Sequence, residues 1–193
     1  MKTFRTLALP ILALAFAAGL DAQDRPASPR GEASTQIGDA WIVVDYGRPI
    51  KRGRDVFAMG GGYGQGISTG GVWRLGANKS TRLMTEADLM FGDQRLPAGE
   101  YSVFAELAET EWTLIFSSWG AKEGGREDNP DAIWGSYGYT PDRDVLRTSM
   151  GVTTSEMSID QMVILFTDVT AEGGTFSVWW DDQLASTPFS LAK

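Results

Sequence analysis

Apolar residues recur at every second position through most of the chain, and this period limits the fold more than any other feature. Successive side chains of a β-strand point to opposite faces, so a period of two is typical of strands. Runs with this period cover residues 41–46, 83–90, 101–107, 112–117, 145–150, 159–169 and 175–180. Short turn segments separate the runs. The pattern predicts an all-β chain that forms an antiparallel β-sandwich, jelly-roll or immunoglobulin-like, with little helix.

The alternation also predicts which strand faces are buried. Phe176, Val178 and Trp180 share one face of the run at 175–180, so we expect this face in the core. In the run at 159–169 both faces are apolar, which predicts a central strand that is covered on both sides.

The first residues have the pattern of a signal peptide. Lys2 and Arg5 form a short positive region, and an apolar run and then small residues follow it. This pattern predicts a signal peptide over residues 1–22 and a protein that is periplasmic or secreted. The polar segment at 23–36 predicts a flexible lead-in, followed by a single β-sandwich domain over residues 37–193. No second apolar run is long enough to predict a membrane span.

The chain is acidic and lacks both histidine and cysteine. Its 193 residues carry a formal net charge of −8 at pH 7. This charge disfavours nucleic acid and anionic membranes as partners, because neutralising phosphate needs a basic surface. Without histidine and cysteine there is no Ser-His-Asp triad, thiolate nucleophile, zinc knuckle or disulfide. Any catalysis would use carboxylates, Lys, Tyr, Ser or Thr, or a bound hard cation, and no cofactor is predicted.

Two segments without strand character are the expected places of ligand contact, because functional groups tend to lie on loops that a rigid scaffold holds. They are residues 59–71, MGGGYGQGISTGG, and residues 118–139. The glycine-rich segment lacks GxxxxGK[ST], and its spacing is one residue too long for GxGxxG, which favours a connection between strands over nucleotide binding. The acidic stretch at 127–131 lacks the order of a calcium loop, which favours a solvated surface loop and no metal site.

Asp45, in WIVVDYGRP, shares a strand face with Trp41 and needs a partner if it is partly buried. Arg48, Arg74 and Arg147 are the candidates, since arginine can form a bidentate pair with a carboxylate. The favoured interpretation is an ion pair that fixes loops to the sandwich. The other interpretation is an anion or sugar site, in which Arg and Asn donate hydrogen bonds and Trp supplies a stacking face.

Four ordered motifs carry a resemblance that runs from about Ser28 to the C-terminus. They are SPRGEASTQIGDAWIVVDYGRPIKRGRDVF, then VWRLGANKSTRL, then LPAGEYSVFAEL with EWTLIF, and finally WGSYGYTPDRDVLR. In these motifs the chain resembles a bacterial secreted family, the domain of unknown function 2911. The resemblance implies a secreted, mostly β domain, and it transfers no activity and no functional residue. Such proteins usually have a compact Pro-Tyr-Gly stretch before the Trp-Arg motif, where this chain has the longer glycine-rich segment.

The polar and aromatic residues of these motifs are the candidate ligand-binding residues, since plain core positions are expected to be aliphatic. We expect several to converge at one end of the sandwich, and they are Asp45, Tyr46, Arg48, Trp73, Arg74, Asn78, Trp134, Tyr137, Asp144 and Arg147. Trp73 and Arg74 are neighbours on a strand and point to opposite faces, so we expect one of them in the core.

The favoured function is a non-catalytic binding or envelope-associated module for a carbohydrate or a small anionic ligand. The alternative is a hydrolase that acts on carbohydrate without histidine, through carboxylates or a cation. A pocket beside Arg74 and Asn78 would favour binding, whereas two carboxyl groups facing each other across a cleft would favour hydrolysis.

Overall fold

The computed structural model describes residues 27–193, and the signal peptide predicted at 1–22 lies outside these residues. Within them, almost all regular structure is β. The strands are β1 (Arg30–Ile37), β2 (Ala40–Gly47), β3 (Thr81–Thr85), β4 (Leu89–Phe91), β5 (Gln94–Leu96), β6 (Gly99–Glu106), β7 (Glu111–Ser117), β8 (Gly120–Ala121), β9 (Ala132–Ile133), β10 (Asp144–Thr167) and β11 (Gly173–Leu191). Short 3-10 turns are present at Met59–Gly61 and Pro141–Arg143. No helix in this part of the chain is long and apolar enough to cross a membrane.

Nine of these strands form one antiparallel sheet in the order β1-β2-β3-β6-β7-β10-β11-β4-β5. Short turns join β1 to β2 and β6 to β7, which pair as antiparallel neighbours. The other two strands, β8 and β9, form a small parallel pair. The sheet folds over one large apolar core, so the predicted antiparallel β-sandwich with little helix is confirmed.

The long hairpin of β10 and β11 bends back on itself. Pairing between the two strands shifts register near the middle of β10, and Asp181 in β11 has a φ of 55°. The hydroxyls of Ser177 and Ser186 lie 2.8 Å apart, whereas nine residues of straight strand would span about 30 Å. The hairpin therefore turns a corner of the sandwich, and the runs predicted at 145–150 and 159–169 are parts of one strand.

Two side chains hold Asp181 at this bend. Lys51 forms an ion pair with the buried Asp181 carboxylate. Ser158 Oγ donates to Asp181 Oδ1 at 2.7 Å, and the hydrogen bond to Asp181 raises the pKa of Lys51. The charge of Asp181 is therefore compensated at the corner, as a buried carboxylate requires.

The core is rich in aromatic rings. Phe176, Val178 and Trp180 are each at most 2% exposed, which confirms the predicted core face of β11. Trp73 stacks on Trp180, with ring centroids 5.9 Å apart and planes inclined by 17°. Phe57 contacts the same Trp180 ring edge-on at 6.1 Å. These contacts connect the loop regions on either side of the bend in β11.

A second, smaller apolar cluster lies on the outer face of β6 and β7. It consists of Val72, Phe104, Ile115 and Ile133, with Trp119 and Tyr139 packed against it. Residues 118–143, which we call the outer segment, supply the covering side chains. The segment predicted as a ligand-contacting loop is thus packed against the sheet by its own apolar residues.

The lead-in predicted at 23–36 is wrong from Arg30 onward, because Arg30–Ile37 forms β1 and pairs with β2 along its whole length. β1 lies at the edge of the sheet, and most of its side chains are exposed or half-buried. Backbone hydrogen bonds rather than apolar burial hold this strand, so it has no alternation that sequence reading could detect. The run predicted at 83–90 is also corrected, since it is two strands, β3 and β4.

Candidate functional site

Trp73 anchors the sequence motif VWRLGANKS to the core. Its backbone exchanges two hydrogen bonds of 2.8 Å with Ala105 of β6, so the motif begins as an extension of the sheet. Trp73 is 1% exposed, and its indole Nε1 donates to the carbonyl oxygen of Gly76 at 3.0 Å. Of the Trp-Arg pair, Trp73 is therefore the core residue.

Arg74 points away from the core, as expected for the next residue of an extended segment. Its guanidinium donates to the backbone carbonyl oxygen of Asn78 at 2.9 Å and lies 5.2 Å from the ring centroid of Tyr137. Within residues 27–193, no carboxylate forms an ion pair with Arg74. The cation–π contact holds the guanidinium in place without neutralising its charge.

The turn after Arg74 holds two non-glycine residues in the left-handed backbone region. Leu75 has a φ of 46° and Asn78 a φ of 64°. Asparagine adopts this conformation readily, whereas a leucine must be held there by its surroundings, and Leu75 is fully buried. Asn78 is exposed, and its side-chain amide has no hydrogen-bond partner among the described residues. The amide is therefore available to a ligand.

An open pocket of about 230 Å³ lies beside this turn, and we call it the arginine pocket. It is lined by Ser28, Pro49, Arg54, Ile67, Trp73, Arg74, Gly76, Ala77, Asn78 and Trp180. Arg54 donates to the carbonyl oxygens of Lys51 and Ile50 at 2.9 and 2.8 Å. No carboxylate lines the pocket, and none among residues 27–193 pairs with Arg54. Two arginine residues and one asparagine therefore line the pocket.

The ends of β1 and β2 support the same turn. Gly47 approaches the turn so closely that a Cβ at this position would overlap the carbonyl oxygen of Ala77. Arg30 of β1 donates to the carbonyl oxygen of Lys79 at 3.3 Å. The wall of the arginine pocket is therefore fixed by backbone contact with the sheet edge.

Asp45 pairs with Arg30, which donates through Nε to Oδ1 at 3.1 Å. The predicted partners Arg48, Arg74 and Arg147 are therefore wrong. Arg30 lies in the segment predicted as a lead-in, so the sequence pattern does not indicate this pair. The side chain of Asp45 is 45% exposed, so this is a surface ion pair, which adds little to stability.

Tyr46 and Arg48 join β2 to β10. Tyr46 is 3% exposed, and its hydroxyl accepts a hydrogen bond from the backbone N–H of Ile164 at 3.0 Å. Arg48 donates to the carbonyl oxygen of Met162 at 3.4 Å. Both side chains bond to the backbone of β10, so they connect strands within the fold.

Asp144 and Arg147 belong to another group, with Tyr139 and Glu106. Arg147 pairs with both carboxylates and lies 2.8 Å from Asp144 Oδ2. Tyr139 donates to the same Oδ2 at 2.7 Å, and burial together with this hydrogen bond raises the pKa of Tyr139. Asp144 Oδ1 is buried without a hydrogen-bond partner among the described residues. This group connects the outer segment to β6 and β10.

The structure brings together four of the ten candidate residues, which are Trp73, Arg74, Asn78 and Tyr137. Trp134 is half-buried on the outer segment and pairs through a single bridge with Tyr137, which is 58% exposed. Asp144 and Arg147 are absent from the lining of the arginine pocket. Some of the candidates therefore surround one turn, and the others connect neighbouring parts of the fold.

A larger cleft of about 560 Å³ lies between the glycine-rich segment and the bend of β11, and we call it the tyrosine cleft. It is lined by Asp55, Phe57, Ala58, Gly61, Gly62, Tyr63, Glu109, Asp182 and Gln183. Ligand contact was expected at 59–71, and that segment supplies Tyr63, whose pKa is raised by burial. No pattern in the sequence indicates Glu109, in the turn between β6 and β7, or Asp182, at the bend of β11, as residues of this cleft. Among residues 27–193, no group of three or more acidic side chains is arranged to hold a metal ion.

Comparison with protein families matches residues 28–189 to a family described as a protein of unknown function, DUF2911. The match covers most of the chain. The chain belongs to the DUF2911 family. No curated protein and no solved structure matches it.

The motifs that carry the DUF2911 resemblance contact one another in the fold. Ser80 of the second motif donates to the carbonyl oxygen of Gly135 in the fourth at 2.7 Å, and Trp73 pairs with Ala105 of the third. Eight of the ten residues that line the arginine pocket come from the first two motifs, and Ile67 and Trp180 are the others. In this DUF2911 protein the motifs therefore build the arginine pocket more than the tyrosine cleft.

Proposed function

We propose that the protein is a non-catalytic binding module that holds a small anionic ligand in the arginine pocket. The supporting observation is that Arg54 and Arg74 line one pocket and neither has a carboxylate partner among residues 27–193. Guanidinium groups suit carboxylate and phosphate ligands because their planar N–H groups donate in pairs. The pocket volume of about 230 Å³ favours a small ligand over a polymer.

The other lining groups support the same role. Asn78 contributes a side-chain amide on a left-handed backbone, a conformation that is frequent at ligand sites. Trp73 and Trp180 form an apolar inner wall, and an anion seated against that wall interacts more strongly with the guanidinium groups than in bulk water. The lining holds no carboxylate, Lys or Tyr that would act as an acid or base, which favours binding over catalysis.

We propose that this binding takes place outside the cytoplasm, either in the periplasm or outside the cell. The basis for this location is the signal-peptide pattern that begins with Lys2 and Arg5. Cell fractionation with N-terminal sequencing of the recovered protein tests it. A cytoplasmic product that keeps residues 1–22 would contradict this part of the proposal.

Calorimetric titration with inorganic phosphate, sulfate, citrate and glucuronate tests the arginine pocket. We expect at least one of these anions to bind, and the substitutions Arg54→Gln and Asn78→Gly each to weaken its binding about tenfold. Glycine accepts the left-handed backbone of Asn78, so this variant removes the amide without straining the turn. At 100 times its Kd, the anion should also stabilise the fold by about 2.7 kcal/mol.

The matched control is Arg126→Gln, which removes the same charge from an exposed position outside the pocket. This variant should bind the anion as the parent does. If no anion binds, or if binding survives both pocket substitutions, the proposed function is wrong. Strong destabilisation by Asn78→Gly would instead show that the turn is scaffolding.

A further inference from the structure

The tyrosine cleft has the size of a ligand site, and the proposed function leaves it unused. Its volume of about 560 Å³ lies within the range of about 300–1,000 Å³ that is common for small-molecule pockets. Gly61 and Gly62 form part of the wall without side chains, so the opening is not filled from that side. The cleft and the arginine pocket share no lining residue.

Most side-chain donors in the cleft are already engaged. The hydroxyl of Tyr63 donates to Gln183 Oε1 at 3.2 Å and accepts from the indole Nε1 of Trp112 at 3.2 Å. The amide of Gln183 donates in turn to Asp182 Oδ1 at 2.9 Å. The carboxylates of Asp182 and Glu109 retain unused acceptor positions, because an ionised carboxylate accepts about four hydrogen bonds. The lining therefore favours a ligand with several donors.

An aromatic wall stands beside these acceptors. The ring of Tyr63 stacks on Phe57, with centroids 5.4 Å apart and planes inclined by 20°. Phe57 contacts Trp112 behind it at 5.6 Å. The core therefore fixes one side of the Tyr63 ring, and Tyr63 as a whole is half-buried at the cleft. A ligand here meets an apolar surface and a row of acceptors together.

We infer that the tyrosine cleft is a second binding site, for a neutral carbohydrate. A sugar matches both features of the lining, because its hydroxyls donate to carboxylates and its C–H face packs on an aromatic ring. An anionic ligand is disfavoured, since Asp55, Glu109 and Asp182 would repel it. This inference does not depend on anion binding in the arginine pocket.

Nuclear magnetic resonance titration of the purified protein tests the inference. The probes are glucose, galactose, mannose, N-acetylglucosamine and cellobiose, with putrescine as a cationic comparison and inorganic phosphate as an anionic one. The indole N–H of Trp112 and the amides of Gly61 and Gly62 are the reporters, because they lie in or beside the cleft. We expect at least one sugar to shift these signals to saturation.

Two substitutions and two controls locate the binding. Glu109→Gln and Asp182→Asn each replace an acceptor by a neutral group of the same size, and each should weaken sugar binding about tenfold. Glu172→Gln makes the same change at an exposed turn outside the cleft and should leave sugar binding unchanged. Arg54→Gln should also leave it unchanged, which separates this site from the proposed function.

Three results would overturn the inference. Putrescine alone could shift the reporters, which would make the cleft a cation site. No sugar could shift them, in which case the cleft is not a carbohydrate site. A sugar could bind with equal affinity to the parent, Glu109→Gln and Asp182→Asn proteins, in which case it binds elsewhere on the surface.

Discussion

Gly47 allows the turn that carries Asn78 to lie against the end of β2. A Cβ on Gly47 would overlap the Ala77 carbonyl oxygen, and that oxygen belongs to the backbone and cannot rotate away. We expect Gly47→Ala to destabilise the protein by about 1–3 kcal/mol, because the turn must move to accept the methyl group. The same movement displaces the wall of the arginine pocket. Urea unfolding measures the loss of stability.

Gly151 provides the control for this substitution. It lies on β10, it is exposed, and a Cβ there would have no neighbouring atom within 4 Å. Gly151→Ala should therefore change the free energy of unfolding by less than about 1 kcal/mol. Equal losses in Gly47→Ala and Gly151→Ala would show that strand propensity, not close approach to Ala77, governs both positions.

Among the elements, the outer segment is attached to the sheet by apolar packing, by the Tyr139 group and by one buried hydroxyl. Ser80 is 0% exposed, and its Oγ donates to the carbonyl oxygen of Gly135 at 2.7 Å. We expect Ser80→Ala to cost about 1–3 kcal/mol, because a buried carbonyl oxygen loses its donor. Hydrogen exchange should accelerate first in residues 132–139, since local opening of this segment precedes global unfolding.

The control is Ser34→Ala on the edge strand β1. Ser34 is exposed, and its hydroxyl has no hydrogen-bond partner among the described residues. Exchange in the outer segment should match that of the parent protein. If Ser80→Ala speeds exchange uniformly through the molecule, the hydroxyl holds the whole fold together rather than this one segment.

The sequence predicts the elements in which burial of one face imposes a period on the apolar residues. It does not predict the elements that form through long-range contacts. Phe176, Val178 and Trp180 alternate because one face of β11 meets the core, so their burial was predictable. β1 lies at the edge with both faces partly solvated, and it therefore has no apolar alternation to detect.

The same distinction applies to the candidate site. Trp73 and Arg74 point to opposite faces because side chains alternate along extended backbone, and this rule needs only the local sequence. Arg54 joins Arg74 at the arginine pocket only through the folding of the loop between β2 and β3, and no local pattern reports that approach. The partner of Asp45 is missed for a similar reason, since Arg30 meets it only when β1 pairs with β2.

At the scale of the whole molecule, the titrating side chains predict how stability depends on pH. The chain has no histidine and no cysteine, so it lacks the side chains that ordinarily titrate near neutral pH. Burial raises the pKa of Tyr63 and Tyr101, and burial followed by the hydrogen bond to Asp144 raises that of Tyr139. Each tyrosine is neutral when protonated, so the folded protein holds these protons more tightly than the unfolded chain does.

Stability should therefore vary little around neutral pH and fall at alkaline pH. The contribution of a raised tyrosine pKa is fully present below about pH 10, the ordinary value. It is lost as the pH rises from there through the folded pKa, because the unfolded chain ionises first. For Tyr139 we expect a loss of less than about 1.4 kcal/mol per pH unit, since solvent screens a half-buried group.

Urea unfolding at a series of pH values, with the Tyr139→Phe variant beside the parent, checks this dependence. The variant loses the hydrogen bond to Asp144, so it should be less stable than the parent at neutral pH. Because phenylalanine cannot ionise, the free energy of unfolding of the variant should fall less steeply above about pH 10. Tyr137→Phe is the control, because Tyr137 is 58% exposed and its hydroxyl has no hydrogen-bond partner among residues 27–193. Parallel curves for the parent and Tyr139→Phe would assign the alkaline loss to other groups, with Tyr63 and Tyr101 the next to replace.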